Sequence, residues 1–140
     1  MKNIPIKEIM STHLKTLHPK DKMKVAKEIF DNYEIHHIPV HVMGEIKGIL
    51  SLGDVLFLEG LVNNSFDEFV KNKKYEIMTV DEVMTARPYC IDSEATISEA
   101  LDIMIDERVN ALPVKENNEL VGIITSYDLL NHLKELINNL

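Results

Sequence analysis

The chain is short of cysteine, of basic charge and of long apolar runs, and each shortage excludes something. A single cysteine, Cys90, rules out an internal disulfide and agrees with a reducing compartment. Only 15 Lys and Arg stand against 23 Asp and Glu, a formal net charge of −8. A sequence-independent nucleic-acid binder needs a basic face to displace counterions from phosphates, so nucleic acid is not an expected partner. Apolar runs such as Val55-Leu56-Phe57-Leu58 fall far below the roughly 20 residues of a membrane span, so no membrane insertion is expected. The opening Met1-Lys2-Asn3-Ile4-Pro5 lacks the apolar stretch of a secretory leader, and a cytoplasmic location is expected. No Walker loop, Gly-x-Gly-x-x-Gly, Cys-x-x-Cys or His-Glu-x-x-His pattern occurs. What remains is 140 residues, 45% apolar and 27% charged, the balance of an ordinary globular protein.

What the sequence does contain is a repeat. Residues 6–56 lie over residues 80–130 at a constant offset of 74 with no gap, and 11 of the 51 positions are identical. The identities are Glu8, Met10, Ala26, Ile29, Pro39, Val40, Glu45, Gly48, Ile49, Asp54 and Leu56, so Pro, Gly and Asp all fall on their partners. Each copy reads locally as β-α-β-β-α. A short extended piece (around Thr16 to His18, and Tyr89 to Asp92) precedes an amphipathic helix. The helical faces are Met23, Ala26, Ile29, Phe30 and Tyr33, then Ile97, Ala100, Leu101, Met104 and Ile105. Thr96 with Glu99 forms a capping box, and Asp21 is the expected cap of the first helix. Strands His37–Val42 and Ala111–Glu116 each carry a proline, and Met43-Gly44 and Asn117-Asn118 turn the chain back. Strands Ile46–Ser51 and Leu120–Thr125 return, each leading into a second helix. Between the copies a short helix is expected over Phe66–Lys71, capped by Ser65, with Lys71-Asn72-Lys73-Lys74 as a solvated connector.

At these residues the chain resembles a tandem CBS-domain pair, or Bateman module. The marks are Ile9-Met10-Ser11 and Val83-Met84-Thr85, Ile38-Pro39-Val40 and Leu112-Pro113-Val114, then Gly48-Ile49-Leu50-Ser51-Leu52-Gly53-Asp54 and Gly122-Ile123-Ile124-Thr125-Ser126-Tyr127-Asp128. The resemblance implies an α/β (α+β) fold of two β-α-β-β-α repeats with pseudo-two-fold symmetry. The expected division is a first repeat over 1–58, a connector over 59–79 and a second repeat over 80–140. It implies a free-standing regulatory module that binds AMP, ADP, ATP or S-adenosylmethionine in inter-repeat clefts and signals through a homodimer to a regulated protein. The alternative is an adaptor whose empty clefts serve only dimerisation and partner docking. Neither reading makes the chain an enzyme, and no cofactor is required.

Ser/Thr-x-x-Asp at a strand end and helix start suits nucleotide binding. The hydroxyl and the free N–H groups hold a phosphate, and the carboxylate accepts from ribose hydroxyls. The same pattern is also ordinary helix capping, and both readings stand at this point. By family position, one set comprises Thr125 and Asp128 with Thr16, Ile35, His36 and His37. The other comprises Ser51 and Asp54 with Cys90, Val109, Asn110 and Ala111. Ile35 or Val109 would sandwich a base, one in each set, and His36 or His37 would supply partial positive charge near neutral pH. Lys15 and Tyr89 stand where the family usually has smaller apolar residues, which alters the base pocket. Four residues apart in a strand, His37 and His41 lie about 13 Å apart, too far to share a metal, so no metal site is expected. Cys90 is expected to form wall, and Glu99, Asp102 and Asp106 a solvent-facing stripe.

Overall fold

Two turn sequences that favour positive φ organise the chain into hairpins. Met43 and Gly44 (φ 49° and 89°) join β1 (His37–Val42) to β2 (Glu45–Ser51). Asn117 and Asn118 (φ 52° and 63°) join β5 (Ala111–Glu116) to β6 (Glu119–Thr125). Two consecutive residues at positive φ match the right-handed twist of the strands they connect. The computed structural model describes residues 4–62 and 68–140, so the expected cap Ser65 lies outside the described residues. Besides two short 3-10 helices (Ile6–Glu8 and Val80–Glu82), the remaining elements are α1 (Met23–Asn32), α2 (Leu52–Val62), α3 (Glu68–Ile77), β3 (Thr85–Ala86), β4 (Ile91–Asp92), α4 (Ile97–Glu107) and α5 (Ser126–Asn138). The fold is mixed α/β, with two three-stranded sheets ordered β1-β2-β3 and β4-β5-β6.

The compact units are not the sequence copies. One unit is Lys15–Arg87; the other joins Met1–Leu14 to Pro88–Leu140. We call them the first and second unit. In each, the segment that opens one copy completes the structure built by the other copy, and the pairings recur at the offset of 74. Leu17 bridges Val40 in parallel, as Ile91 pairs with Val114. Thr85 pairs antiparallel with Ile49, and Ser11 with Ile123. Thr79 bridges Lys22, and Pro5 bridges Thr96. Both hairpins carry a bulge at the same place, which leaves Lys47 and Val121 without a cross-strand partner.

The repeated glycines follow from this exchange. A Cβ on Gly48 would stand 2.4 Å from Met84 Sδ and 2.8 Å from the Thr85 carbonyl oxygen. On Gly122 it would stand 2.6 Å from Met10 Sδ and 3.0 Å from the Ser11 carbonyl oxygen. Met10 and Gly48 are therefore identical between copies because an incoming backbone crosses each hairpin at contact distance. The repeated prolines are fully buried, and the Pro39 carbonyl accepts the Leu17 N–H at 3.0 Å.

Each unit has its own core. Met23, Ala26, Ile38, Val40 and Leu50 are fully buried in the first, and Ile6, Ala100, Leu112, Val114 and Ile124 in the second. The expected helical faces need two corrections. Tyr33 lies past the end of α1 as its C-cap and is 48% exposed; Ile105 points outward at 70% exposure, while Ile103 packs on the core. Thr96 and Glu99 form the expected reciprocal box on α4. Asp21 does not cap α1: its carboxylate accepts the His18 N–H at 2.8 Å, and the N-cap is Lys22, with no side-chain bond. The connecting helix also differs from expectation, running Glu68–Ile77. Tyr75 extends it, because that side chain is buried in the first core and its hydroxyl donates to Glu59 Oε1 on α2 at 2.9 Å. Lys27 of α1 stands 3.6 Å from the same carboxylate oxygen, so one acidic group ties three helices together.

Candidate ligand site

In both units a returning strand turns directly into a helix, and a hydroxyl–carboxylate pair closes the junction. Ser51 Oγ accepts the Asp54 N–H at 3.0 Å, and Asp54 Oδ2 accepts the Ser51 N–H at 2.9 Å. Thr125 Oγ1 accepts the Asp128 N–H at 3.2 Å, and Asp128 Oδ2 accepts from both the Thr125 N–H (2.9 Å) and its hydroxyl (3.0 Å). Both Ser/Thr-x-x-Asp sets are thus reciprocal capping boxes. Capping occupies only one carboxylate oxygen. Among the described residues Asp54 Oδ1 accepts no hydrogen bond, and Asp128 Oδ1 has only the Ser11 hydroxyl at a long 3.5 Å. Each carboxylate is half-buried and keeps an oxygen for something else.

The structure groups the expected site residues by unit. Thr16, Ile35, His36, His37, Ser51 and Asp54 fall in the first; Cys90, Val109, Asn110, Ala111, Thr125 and Asp128 fall in the second. Within each, the cap stands against the start of its own hairpin. His37 pairs with Ser51, and the Leu52 N–H donates to the His36 carbonyl at 2.8 Å. Ala111 pairs with Thr125, and the Ser126 N–H donates to the Asn110 carbonyl at 2.9 Å. Ile35 and Val109 are half-buried against their respective cores, while His36 and Asn110 are exposed.

The histidines divide into distinct roles. His41 Nδ1 accepts the Gly44 N–H at 2.9 Å, so its proton sits on Nε2 and donates to Thr16 Oγ1 at 3.2 Å. That ring braces the hairpin turn against the Thr16 segment. His37 is pulled below the ordinary imidazole range, first by burial and then by the charge of His36, with Asp54 partly opposing both. Burial thus favours the neutral form of His37, and of the two histidines expected to supply positive charge there, His36 is the exposed one. Cys90 donates to the Pro88 carbonyl at 3.3 Å, and burial pushes its thiol above the ordinary range despite the nearby charge of Lys115. Such a thiol is not a nucleophile poised at neutral pH. Among the described residues no group of three or more His, Cys, Asp or Glu is placed to hold a metal ion. No helix among them is long and apolar enough to cross a membrane.

A model of the CBS domain matches the chain twice, over residues 6–59 and 80–135. The chain belongs to the CBS-domain family. This CBS pair is 33% identical over 130 residues to inosine-5'-monophosphate dehydrogenase of Methanocaldococcus jannaschii, a match spanning 91% of this chain and 23% of that enzyme. It is 28% identical over 137 residues to a CBS domain-containing protein of Dictyostelium discoideum, spanning 94% of this chain and 92% of that one. The chain spans under a quarter of the length of the dehydrogenases it matches. Among solved structures it resembles AcuB of Vibrio cholerae, with a TM-score of 0.79 at 24% identity over 96% of this chain and 93% of that one. It also resembles CBSX2 in complex with AMP, with a TM-score of 0.77 at 19% identity over 94% and 97%. The CBS domain pair of protein MJ0100, in complex with 5'-methylthioadenosine and S-adenosyl-L-methionine, gives 0.75 at 22% over 93% and 99%. These likenesses establish the CBS-pair fold.

One residue beside the second cap escaped the sequence reading. Ser11 reaches Asp128 because its backbone pairs with Ile123, a contact between residues more than a hundred positions apart. The signal available was the equivalence of Ser11 with Thr85 at the head of each copy.

Proposed function

We propose that this CBS pair is a regulatory module that binds an adenine-containing small ligand, AMP-like or adenosyl, and relays its occupancy to a protein it controls. The observation that carries the reading is the duplicated cap: two carboxylates at equivalent strand-to-helix junctions, each keeping one oxygen clear of strong protein hydrogen bonds. Asp54 and Asp128 accept from ribose hydroxyls through that oxygen, a charge-assisted contact. The Ser51 hydroxyl and the N–H groups of Gly53 and Tyr127, the second residues of α2 and α5, present donors to a phosphate or another polar group. In the first unit Ile35 lies against the base, with Thr16, His36 and His37 around it; in the second Val109 does so, with Cys90, Asn110 and Ala111. AMP in CBSX2 and the adenosyl compounds in the MJ0100 pair support this ligand class. A ligand signals only if it binds two conformations of the module with different affinity.

A homodimer belongs to the same proposal. No residue of α5 is buried, and Leu130 (63%), Leu133 (44%) and Ile137 (57%) expose apolar surface along it. A second copy covers that stripe, because single exposed apolar residues are common but an aligned row is not. The same stripe favours the second reading, an adaptor that dimerises or docks with its caps unused. Calorimetric titration with AMP, ADP, ATP and S-adenosylmethionine separates the two. The regulatory reading predicts binding that Asp54→Ala or Asp128→Ala weakens by more than about 1 kcal/mol. No heat from any of the four at millimolar concentration refutes it and leaves the adaptor.

A further inference from the structure

Around each cap, three repeat-equivalent positions have exchanged their chemistry. In the first unit Lys15 Nζ lies 4.3 Å from the centre of the Tyr33 ring. Their counterparts 74 residues on are Tyr89 and Glu107, and there the Glu107 carboxylate, as acceptor and as negative charge, pushes the Tyr89 phenol above its ordinary range. Each pair ties the segment entering a unit to the end of the helix before the hairpin. One unit thereby engages its cation, the other its anion. The next residue carries the charge left over: Glu34 in the first unit, Arg108 in the second. Both are exposed, and among the described residues neither side chain makes a hydrogen bond or ion pair.

Arg108 is also held at a backbone cost. It caps α4 at φ 55° and ψ 46°, the left-handed conformation in which helix ends favour glycine. Glu34, its counterpart, is not among the residues at positive φ. The chain keeps a guanidinium where helix termination alone would select a residue without a Cβ, and such strain concentrates at functional positions. Two residues on, the Asn110 carbonyl holds the first amide of α5. Arg108 thus leaves its helix at the end of the sheet where Thr125 and Asp128 form their cap. In the first unit the corresponding charge is negative, burial holds His37 toward its neutral form, Lys15 is drawn onto Tyr33, and the exposed imidazole of His36 stands at the position of Asn110.

We propose that Arg108 and Glu34 sort ligands by charge: the second unit takes an adenine ligand bearing a phosphate, and the first takes one that is uncharged or cationic, such as an adenosyl sulfonium. The inference rests on the adenine-binding reading above and assigns a ligand class to each unit. A guanidinium gives a phosphate paired, charge-assisted donors; an exposed carboxylate repels the same group and attracts a sulfonium or ammonium.

The test is calorimetric titration of the full chain with AMP, adenosine and S-adenosylmethionine, using Arg108→Gly, Arg108→Lys and Glu34→Gln. Arg108→Gly relieves the left-handed backbone, so an unchanged or raised melting temperature reports an intact fold. The wild type is expected to prefer AMP over adenosine, and Arg108→Gly to lower that preference roughly tenfold or more with adenosine affinity unchanged. Arg108→Lys should retain part of the preference, and Glu34→Gln should weaken S-adenosylmethionine relative to adenosine. If Arg108→Gly leaves the AMP-to-adenosine ratio unaltered, or lowers both affinities equally, charge sorting is wrong while adenine binding stands. If the wild type binds none of the three, both fall together.

Discussion

Gly48→Ala tests whether the segment around Thr85 is a structural part of the first unit. The added methyl would meet Met84 Sδ at 2.4 Å and the Thr85 carbonyl oxygen at 2.8 Å. The thioether can swing aside, but the carbonyl belongs to the backbone that pairs with Gly48 and Ile49, so β3 must shift. Overpacking of this kind costs about 1–3 kcal/mol, against about 0.4–1 kcal/mol regained from a stiffer unfolded chain. The net expectation is a loss of about 1–2 kcal/mol, a fall in melting temperature of roughly 3–8 °C for a chain of this size. Thermal denaturation followed by circular dichroism reads it directly. Met84→Ala in the same chain should return part of the loss, since the sulfur contact disappears and the carbonyl contact stays, so the two effects are not additive. A Gly48→Ala protein as stable as the wild type would refute the close crossing. Simple additivity with Met84→Ala would refute the part assigned to the sulfur.

Other consequences follow from the caps and the buried polar groups. Thr96→Ala should cost about 1 kcal/mol, because it removes a formed capping box, whereas Lys22→Ala at the equivalent position should cost almost nothing; urea denaturation compares them. Tyr75→Phe should lower stability by about 1–2 kcal/mol, through loss of a hydrogen bond to the Glu59 carboxylate, and should loosen α3 first, as hydrogen exchange would reveal. His37 gives a pH dependence of known sign. Its folded pKa lies below the ordinary 6.5, so between those values the unfolded chain binds a proton that the folded chain refuses. Stability from this group is therefore complete above pH 6.5 and declines as pH falls below it. His37→Gln should flatten that part of a melting-temperature profile, and an unchanged slope would remove His37 as its source.

Much of the fold was legible in the sequence because its determinants are local. The gapless offset of 74 set both hairpins in register, since turn chemistry at Met43-Gly44 and Asn117-Asn118 and the positions of Pro39 and Pro113 act within a few residues. The Thr96–Glu99 box could be read for the same reason. What escaped depends on distant partners. Nothing near Ser11 or Thr85 says that each will pair with a hairpin on the far side of the repeat boundary. Asp21 looked like a cap by spacing, but a turn at His18 captured its carboxylate first. The connecting helix runs on to Ile77 because Tyr75 finds Glu59, a tertiary contact that outweighs the polar stretch before it. Tyr33 and Ile105 fit a helical stripe on paper, yet the first lies past its helix end and the second faces away from the core. At the site, the Ser/Thr-x-x-Asp pairs were visible as residues. Their double use, one oxygen capping and one uncommitted, emerges only from the hydrogen-bond geometry.

The central claim is that the two capping carboxylates receive an adenine ligand. The most direct measurement is an amide NMR titration of the isotope-labelled chain with AMP and S-adenosylmethionine. The account predicts saturable shifts in the backbone signals of residues 51–54 and 125–128, the amides that Ser51, Asp54, Thr125 and Asp128 hold in place. Silent caps at saturating ligand, or shifts confined to other parts of the chain, would contradict it.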